Sequence, residues 1–374
     1  MFATLQKIGR SLMLPIAVLP AAGILLRFGQ PDLLNIPWLA DAGGAIFGNL
    51  PLLFAIGVAI GFSEGAGVAG LAGAVGYWVM TKVATDINPT INMGVLAGII
   101  MGLLGAFLYN RYHTQVLPEF LAFFGGRRFV PIITAFAAVV LGLVFGVIWP
   151  PIQNVIAVIG RWSNGQPIAG GFVFGLQNRL LIPFGLHHVG NSLIWFQLPG
   201  PTPFYDASGK EIFGDLNRFF AGDRSAGLFM TGWFPIMMFA LPAACLAMWK
   251  TAKGEGRKVA AGVLWSAALT SFVTGITEPV EFSFMFVAPV LYVLHATLSG
   301  LSLAICNLLN IHCGFTFSAG VIDYLLNWGI SVNPILVIPV GLVFGVVYYF
   351  LFVNIIERMD LPTPGREKVE AGEV

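Results

Sequence analysis

Long hydrophobic runs follow one another along almost the whole chain. Four of them contain no charged residue: 129–160, 225–249, 259–277 and 324–356. Shorter or less uniform runs lie at 12–26, 45–62, 66–81, 88–110 and 282–311. A helix needs about 20 mostly apolar residues to cross the hydrocarbon core of a bilayer, whereas barrel strands alternate apolar and polar residues in pieces of about ten. The continuous runs therefore predict an all-α polytopic membrane protein with about ten transmembrane segments.

The composition excludes the main classes of soluble protein. Hydrophobic residues make up 57% of the 374 residues and charged residues only 10%, against about 25% charged residues in a typical soluble domain. A formal net charge of +1 gives no general attraction to nucleic acid, and 3 cysteines are too few for a disulfide scaffold. We therefore expect the chain to be surrounded by membrane lipid and to have no nucleic-acid partner.

The distribution of basic residues predicts the orientation in the membrane, because loops rich in Lys and Arg stay in the cytoplasm. Basic residues stand before the first run, in the loops at 111–128 and 250–258, and after the last run. The loop at 199–224 has mixed charges instead. We expect that loop to face outward and both termini to be cytoplasmic.

Short irregular segments suggest how the chain is divided. The first run, at 12–26, follows a short basic stretch, and we interpret it as a transmembrane helix that stays in the protein. Leu117–Phe124 is too short to span and is expected to form an interfacial helix that divides the chain near residue 125. The tail at 361–374 is rich in Pro, Gly and Glu and has no apolar period, which is typical of a linker or a free end.

Glycines recur at a spacing of four inside the apolar runs. Gly98 and Gly102 form one such pair, and Gly142 and Gly146 form another. Small residues at this spacing let membrane helices approach closely. The part of the chain at 57–105 is therefore predicted to be tightly packed.

Ionisable residues inside the apolar runs indicate function, because charged groups are costly in lipid. The segment 177–191 contains Arg179 and is interrupted by Pro and Gly, and the segment 274–282 contains Glu278 and Glu281. A pair of hydrophobic segments broken by Gly and Pro points to a transport site near the middle of the membrane. The alternative is that these charges pair with each other only to hold the bundle together.

The Cys and His residues do not predict a metal or cofactor site. Cys245, Cys306 and Cys313 lie in apolar stretches, and their spacing matches no structural zinc pattern, so we expect buried thiols. The adjacent His187 and His188 would point about 100° apart on a helix, which places them poorly for one ion. We expect no metal and no cofactor.

Five sequence blocks carry a resemblance to a known family. They are Arg179-Leu-Leu-Ile-Pro-Phe-Gly-Leu-His-His188, Gly275-Ile-Thr-Glu-Pro-Val-Glu-Phe-Ser-Phe284, Phe124-Gly-Gly-Arg-Arg-Phe-Val-Pro131, Arg218-Phe-Phe-Ala-Gly-Asp223 and Thr363-Pro-Gly-Arg366. Together they resemble the membrane component, enzyme IIC, of the bacterial sugar phosphotransferase system, glucose superfamily. Further blocks at 14–20, 28–32, 91–94 and 195–197 are most similar to the N-acetylglucosamine branch, with the glucose branch as the alternative.

This resemblance implies a fold and a domain organisation. The fold would have ten transmembrane helices with two re-entrant hairpins and would work as an elevator in the bacterial cytoplasmic (inner) membrane. Residues 1–125 would form an N-terminal homodimerisation scaffold, extending to about 160 with a linking helix. Residues 161–360 would form the substrate-binding transport domain, and 361–374 a cytoplasmic linker or tail.

The resemblance also implies a site and a reaction. The predicted sugar-binding residues are Arg179, His187, His188, Asn191, Thr277, Glu278 and Glu281. A phosphocysteine on a cytosolic IIB domain would give its phosphoryl group to the 6-hydroxyl of N-acetylglucosamine. Glu278 is the predicted catalytic residue and would accept a hydrogen bond from that hydroxyl, with Arg179 orienting or neutralising it. Asn191 or Gln197 would bond to the acetamido group.

The phosphate donor is expected to be another polypeptide, or a domain that these 374 residues do not include, because no cysteine here lies in a soluble basic loop. Without the donor, the chain would bind sugar but would not phosphorylate it. Two other classes stay open beside this one. A proton-coupled secondary transporter would use Glu278 and His187 as a relay and would need no donor, and an intramembrane metal enzyme would lose activity to a chelator.

Overall fold

The computed structural model describes residues 18–30, 32–184, 187–206, 209, 211–254 and 256–366. This part of the chain is helical and contains no β-strand, only two isolated bridges. The prediction of an all-α protein is therefore confirmed.

We number the helices of the described residues in chain order. They are α1 Leu19–Gly29, α2 Pro37–Gly48, α3 Leu50–Phe62, α4 Gly67–Ile87, α5 Gly94–Tyr112, α6 Phe129–Gly165, α7 Pro167–Leu181, α8 His187–Phe196, α9 Asp215–Phe220, α10 Trp233–Thr251, α11 Gly256–Thr274, α12 Glu278–Met285, α13 Pro289–Leu308, α14 Val321–Leu326 and α15 Val337–Met359. Helix α10 contains a π-helical stretch over Ile236–Ala240.

Five helices of the described residues are long and apolar enough to cross a membrane: α5, α6, α10, α13 and α15, two of them with a short preceding turn. Helices α2 and α3 meet at a bend of 53° and would count as a sixth span if taken together. The predicted number of ten transmembrane helices stays a prediction, as do the two re-entrant hairpins.

Two of the hydrophobic runs contain a helix break that the hydrophobic pattern did not predict. The run at 282–311 contains the end of α12 and all of α13, which begins at Pro289. The run at 45–62 is interrupted at Asn49, shortly before Pro51. Pro289 disfavours helical backbone in Ala288 before it, and Pro51 has no N–H to donate to Phe47 four residues earlier. Neither proline lowers the hydropathy of its run by much. Hydropathy alone therefore missed both breaks.

The chain forms two compact units. The first unit consists of Met1–Arg161 with Leu181–Pro199, and the second of Trp162–Leu180 with Gly200–Val374. The predicted division was at 125 to 160, and the structure additionally assigns 181–199, with helix α8, to the first unit. The scaffold and transport roles of the two parts remain predictions.

In the first unit, α3 packs against both α4 and α5 through small residues. A Cβ atom placed on Gly98 of α5 would lie 2.0 Å from the carbonyl oxygen of Pro51 in α3. A Cβ atom placed on Gly73 of α4 would lie 2.6 Å from the carbonyl oxygen of Ala55, which is also in α3. These contacts confirm the predicted close packing in this region, because the helix backbones approach to distances that exclude a side chain.

The segment predicted as an interfacial helix is a 3-10 helix over Glu119–Phe124. Phe120 and Phe123 are exposed, and the guanidinium of Arg128 lies 4.5 Å from the centre of the Phe123 ring. The segment thus presents aromatic and basic groups together, which is the composition of a membrane interface.

In the second unit, α10 packs against α11 and α15, and α12 against α13. Large aromatic side chains are fully buried here: Phe229, Trp233, Phe234, Phe284, Phe315, Tyr348 and Phe352. The three cysteines are also buried, as expected from their apolar surroundings.

The start of the predicted tail is attached to the second unit. Residues Leu361–Arg366, which we call the closing segment, pack on the α10–α11 connection. Arg366 donates to the carbonyl oxygen of Thr251 at 2.9 Å and pairs with Asp360, while the amide of Lys253 donates to the carbonyl oxygen of Gly365 at 2.9 Å. The expectation of a free end is therefore wrong for these six residues, and residues 367–374 lie outside the described part.

Candidate functional site

The Gly275-Ile-Thr-Glu-Pro block forms the turn between α11 and α12. Gly275 has a φ of +75°, and a Cβ atom on it would lie 2.6 Å from Oγ of Ser318. That hydroxyl donates to the carbonyl oxygen of Gly275 at 2.8 Å. Only glycine fits a position that combines left-handed backbone with such a close approach. Helix α12 then begins at Glu278, with Pro279 in the first turn, where its missing N–H is tolerated.

A buried ion pair joins α7 to α12. Nη1 of Arg179 lies 2.7 Å from Oε1 of Glu281, and the two side chains are 3% and 0% exposed. The same nitrogen donates to Oγ1 of Thr277 at 3.2 Å, and the guanidinium lies 4.4 Å from the centre of the Trp233 ring. Buried charges of this kind are tolerated only when they are paired and hydrogen-bonded.

Helices α13 and α15 complete this arrangement. Nε2 of His295 lies 2.9 Å from Oε1 of Glu281, and its Nδ1 lies 2.9 Å from the hydroxyl of Tyr348. The hydroxyl of Tyr292 donates to the carbonyl oxygen of Arg179. All of these side chains are buried. We call Arg179, Glu281, Tyr292, His295 and Tyr348 the Arg179 network.

The central ion pair is not fully satisfied. Oε1 of Glu281 accepts from two donors, whereas Oε2 of the same carboxylate and Nε of Arg179 are buried without a hydrogen-bond partner among the described residues. Each contact that the pair does make is therefore important, since removing one partner of a buried pair leaves an uncompensated charge.

Glu278 differs from Glu281 in its surroundings, although both stand on α12. Its side chain is half-buried, and none of the ion pairs between described residues involves it. Its carboxylate stands on the first turn of the helix, where the positive end of the helix dipole favours a negative charge. A partly accessible carboxylate beside a neutralised pair is suited to accept hydrogen bonds from the hydroxyl groups of a neutral solute.

The expectation that Arg179 orients or neutralises Glu278 is not met by a direct ion pair, and an indirect effect through α12 stays a prediction. Arg179 forms its ion pair with Glu281, one helical turn further along α12, and donates to Thr277 just before it. The sequence spacing could not distinguish the two glutamates, because positions three apart lie on neighbouring parts of one helix face. Direct sugar binding by Arg179, Thr277, Glu278 and Glu281 stays a prediction.

The remaining predicted site residues lie on α8, which belongs to the first unit. His187 and Asn191 are each 9% exposed. The side chain of His188 lies outside the described part of the structure, as do residues 185–186. The role of these three residues in sugar binding likewise stays a prediction.

Two blocks that carried the resemblance to the N-acetylglucosamine branch meet in the first unit. Gly94 begins α5, and Gln197 directly follows α8. A Cβ atom on Gly94 would lie 1.9 Å from Nε2 of Gln197. The side chain of Gln197, a predicted acetamido ligand, thus packs against the backbone of α5.

His295, Tyr348 and Trp233 are not among the site residues predicted from the sequence. His295 could have been found, because it is an ionisable residue inside the apolar run at 282–311. Tyr348 and Trp233 offered no such indication, since aromatic residues are common in hydrophobic helices and only the fold brings these two to Arg179.

A second group of buried charges lies in the loop predicted to face outward. Nε of Arg218 donates to Asp223 at 2.7 Å, and Asp223 also accepts from the amide and hydroxyl of Ser225. Burial raises the pKa of Asp223, but these hydrogen bonds outweigh it and leave the pKa below its usual range. At the nearby Asp215, burial prevails and raises the pKa, although two backbone amides donate to its carboxylate. These contacts order the Arg218–Asp223 block as a structural element.

Comparison with known proteins places these features in a family context. A family model described as "Phosphotransferase system, EIIC" matches residues 9–300. The N-acetylglucosamine-specific EIICBA component of Escherichia coli (strain K12) is 54% identical over 369 residues, which cover 98% of this chain and 56% of that protein. The chain therefore spans little more than half the length of this relative.

Two further relatives match with higher coverage. The N-acetylglucosamine-specific EIICB component of Bacillus subtilis (strain 168) is 52% identical. The match covers 100% of this chain and 81% of that protein. The N-acetylglucosamine-specific EIIC component of Streptomyces coelicolor is 51% identical. The match covers 99% of this chain and 94% of that protein.

The fold also has a counterpart among solved structures. The transporter ChbC, the IIC component from the N,N'-diacetylchitobiose-specific phosphotransferase system, superimposes with a TM-score of 0.58 over 95% of this chain and 94% of ChbC. At 14% sequence identity, this likeness concerns the fold alone.

Proposed function

The chain belongs to the EIIC family of the phosphotransferase system, and on that premise we propose that it binds N-acetylglucosamine and carries it across the membrane for phosphorylation at the 6-hydroxyl by phosphorylated IIB. The family is one of bacterial inner-membrane proteins within a transport and phosphoryl-transfer system. The names of the three relatives support the choice of sugar, and the names EIICBA and EIICB, which join this component to a B component, support the partner.

The single observation that carries the proposed mechanism is the contrast between the two glutamates of α12. Glu281 is fully buried and neutralised by Arg179, whereas Glu278 is half-buried and stands at the start of the helix. A hydrogen bond from a sugar hydroxyl to a charged acceptor contributes about 1.5–3 kcal/mol. Glu278 therefore binds the reacting hydroxyl in this proposal.

In the proposed reaction, the protein contributes mainly positioning. The transition state of phosphoryl transfer is loose, so the attacking hydroxyl must be held in line with the phosphoryl group more than it must be deprotonated. Glu278 accepts the hydrogen bond of that hydroxyl and fixes its direction. The S–P bond of the phosphocysteine breaks as the bond from the 6-oxygen to phosphorus forms, the cysteine leaves as a thiolate on IIB, and the proton of the hydroxyl passes to the carboxylate of Glu278. The sugar phosphate then leaves on the cytoplasmic side.

The test of the site is Glu278→Gln, which keeps the shape of the side chain and removes its charge. We expect the affinity for N-acetylglucosamine, measured by calorimetry on purified protein, to fall at least about tenfold. Glu357→Gln is the matched control, because Glu357 is exposed near the end of α15. Equal affinities in the Glu278 variant and the wild type would refute the role of Glu278.

The choice of sugar and donor is tested separately. In a binding competition, N-acetylglucosamine should displace glucose, mannose and maltose. In reconstituted vesicles with labelled sugar, phosphorylated product should form only when phosphorylated IIB is added. Tighter binding of glucose would favour the glucose branch, and gradient-driven accumulation without IIB would favour a proton-coupled transporter.

The division of labour between the units is a further part of the proposal. We infer that the first unit forms a homodimer and that the second carries the sugar in an elevator-like motion, with both termini in the cytoplasm. Tight small-residue packing in α3, α4 and α5 supports a static role for the first unit. Cysteine pairs placed across the first unit of two protomers should crosslink equally with and without sugar, and crosslinking that changes strongly with sugar would contradict this.

A further inference from the structure

The Arg179 network connects four helices of the second unit through one oxygen atom. Oε1 of Glu281 accepts from Arg179 of α7 at 2.7 Å and from His295 of α13 at 2.9 Å. His295 continues to Tyr348 of α15. The proposed reaction uses neither His295 nor Tyr348, yet both are completely buried. A polar chain of this length inside an apolar unit needs an explanation.

The hydrogen-bond partners determine the state of the His295 ring. A carboxylate only accepts hydrogen bonds, so Nε2, which faces Glu281, carries the hydrogen. In the neutral ring Nδ1 then accepts a hydrogen bond from the hydroxyl of Tyr348, which also lies 3.3 Å from the carbonyl oxygen of His295. Tyr348 thus orients the ring from one side, and the ring delivers a donor to Glu281 on the other.

We propose that His295 is a positioning residue for the sugar site, an inference that rests on the proposed function. His295 holds Glu281, and Glu281 holds Arg179. Thr277, which precedes α12, accepts from Arg179 through its hydroxyl at 3.2 Å and from the amide of Glu281 through its carbonyl oxygen at 2.9 Å. The network therefore fixes the first turn of α12, on which Glu278 stands.

The geometry of α12 explains why this matters for the site. Glu278 and Glu281 are three residues apart and lie on neighbouring parts of one helix face. The helix has only eight residues and is preceded by the left-handed Gly275, so it has few other means of fixing its rotation. If the bond from His295 is lost, Glu281 shifts toward Arg179, and Glu278 turns with it.

A pair of amide substitutions separates the two ends of the ring. In His295→Gln the amide nitrogen reaches the place of Nε2, so the variant keeps a donor to Glu281. In His295→Asn the shorter amide reaches only the place of Nδ1, so it keeps the contact with Tyr348 and loses Glu281.

The measurement is equilibrium binding of N-acetylglucosamine to the purified full chain, without any phosphate donor, together with the thermal unfolding midpoint. We expect His295→Gln to stay within about threefold of the wild-type affinity and His295→Asn to lose at least about tenfold. A merely structural role would lower the midpoints of the Gln and Asn variants alike and leave the affinity of the folded protein unchanged. Equal affinities in these two variants would overturn the proposal.

A second variant decides the matter if His295→Asn does not fold. Glu281→Gln keeps the volume of the side chain but offers a weaker acceptor to His295. It should also lose at least about tenfold in sugar affinity, and unchanged affinity would overturn the proposal.

The outcome for His295 can be separated from that for the proposed function. If the wild type binds glucose but not N-acetylglucosamine, the choice of sugar fails, and the same ratios measured with glucose still decide the role of His295. If the wild type binds no hexose of the panel, both the function and the positioning role are refuted.

Discussion

Two regions of the protein hold helices together by opposite means. One is the bundle of α3, α4 and α5, and the other is the Arg179 network. In the bundle of α3, α4 and α5, glycines bring backbones so close that an added Cβ atom would touch a carbonyl oxygen. In the network, a buried arginine, a glutamate and a histidine connect helices through hydrogen bonds. Hydrophobic burial distinguishes poorly between helix arrangements inside lipid, so both regions need a more specific contact.

The two kinds of contact are sensitive to opposite changes. The bundle should tolerate the loss of an atom but not the gain of one, since its backbones are already in contact. The network should tolerate a change of shape better than the loss of a charge, since the remaining charge would be buried alone. The following substitutions test this difference, starting from the largest expected effect.

Removing one charge of the network should be the most damaging change. Arg179→Met leaves Glu281 buried without its partner, and we expect a loss of about 3–5 kcal/mol in the free energy of unfolding. Chemical unfolding in mixed micelles measures it. The double variant Arg179→Met with Glu281→Leu should recover most of that loss, because it removes both charges. A double variant as unstable as the single one would show that the ion pair is not the reason.

Adding one methyl group to the bundle should have the next largest effect. In Gly98→Ala the new Cβ atom would lie 2.0 Å from the carbonyl oxygen of Pro51, so the helices must move apart, at a cost of about 1–3 kcal/mol. Gly44→Ala is the control, because a Cβ atom added to Gly44 of α2 would have no neighbouring atom within 4 Å. There the better helix propensity of alanine should make the protein slightly more stable, by up to about 1 kcal/mol. Equal stability of the two variants would contradict the packing argument.

The Arg218–Asp223 block provides a pH-dependent case of intermediate size. Because the pKa of Asp223 is lower in the folded protein, its stabilisation is complete above the unfolded pKa of about 3.9 and is lost as the pH falls through the folded value. Asp223→Asn should remove this acid-dependent part and cost about 1.5 kcal/mol at pH 7. Unfolding midpoints between pH 7 and pH 3 measure both effects. Parallel pH profiles in variant and wild type would refute the assignment.

The smallest effect is expected at an exposed ion pair. Lys82 and Asp86 lie 2.6 Å apart on α4, but their side chains are 75% and 61% exposed. Water and salt screen such a pair, so Lys82→Ala should change the free energy of unfolding by no more than about 0.5 kcal/mol. A loss comparable to that of Arg179→Met would mean that burial is not what separates the two pairs.

The sequence predicted the bundle better than the network. The spacing of Gly98 and Gly102 is a local pattern, and the close contact with α3 follows directly from it. The ion pair depends on which of two glutamates meets Arg179 across 99 or 102 positions of chain, and no local pattern contains that information. The buried charges of the site could therefore be predicted from the sequence, but not which of the two glutamates pairs with Arg179.

The positions at which helices break were also not predicted from the sequence. The hydrophobic pattern found the apolar segments but missed the interruption before Pro289, because hydropathy averages over the residues that end one helix and start the next. In contrast, α6 continues through Pro150 and Pro151 to Gly165, beyond the charge-free run that predicted it. Tertiary contacts decide such cases, and a single sequence does not show them.

The attachment of the closing segment gives the protein a built-in reporter for proteolysis. Arg366 is a potential trypsin site, but its side chain is only 5% exposed and is held by Thr251 and Asp360. Trypsin can cut after Arg366 only when this contact opens, so the cleavage rate measures how often the segment leaves the second unit. Any condition that loosens the α10–α11 connection would then be visible in mass spectra as faster release of the peptide that begins at Glu367, distinct from the one that begins after Lys368.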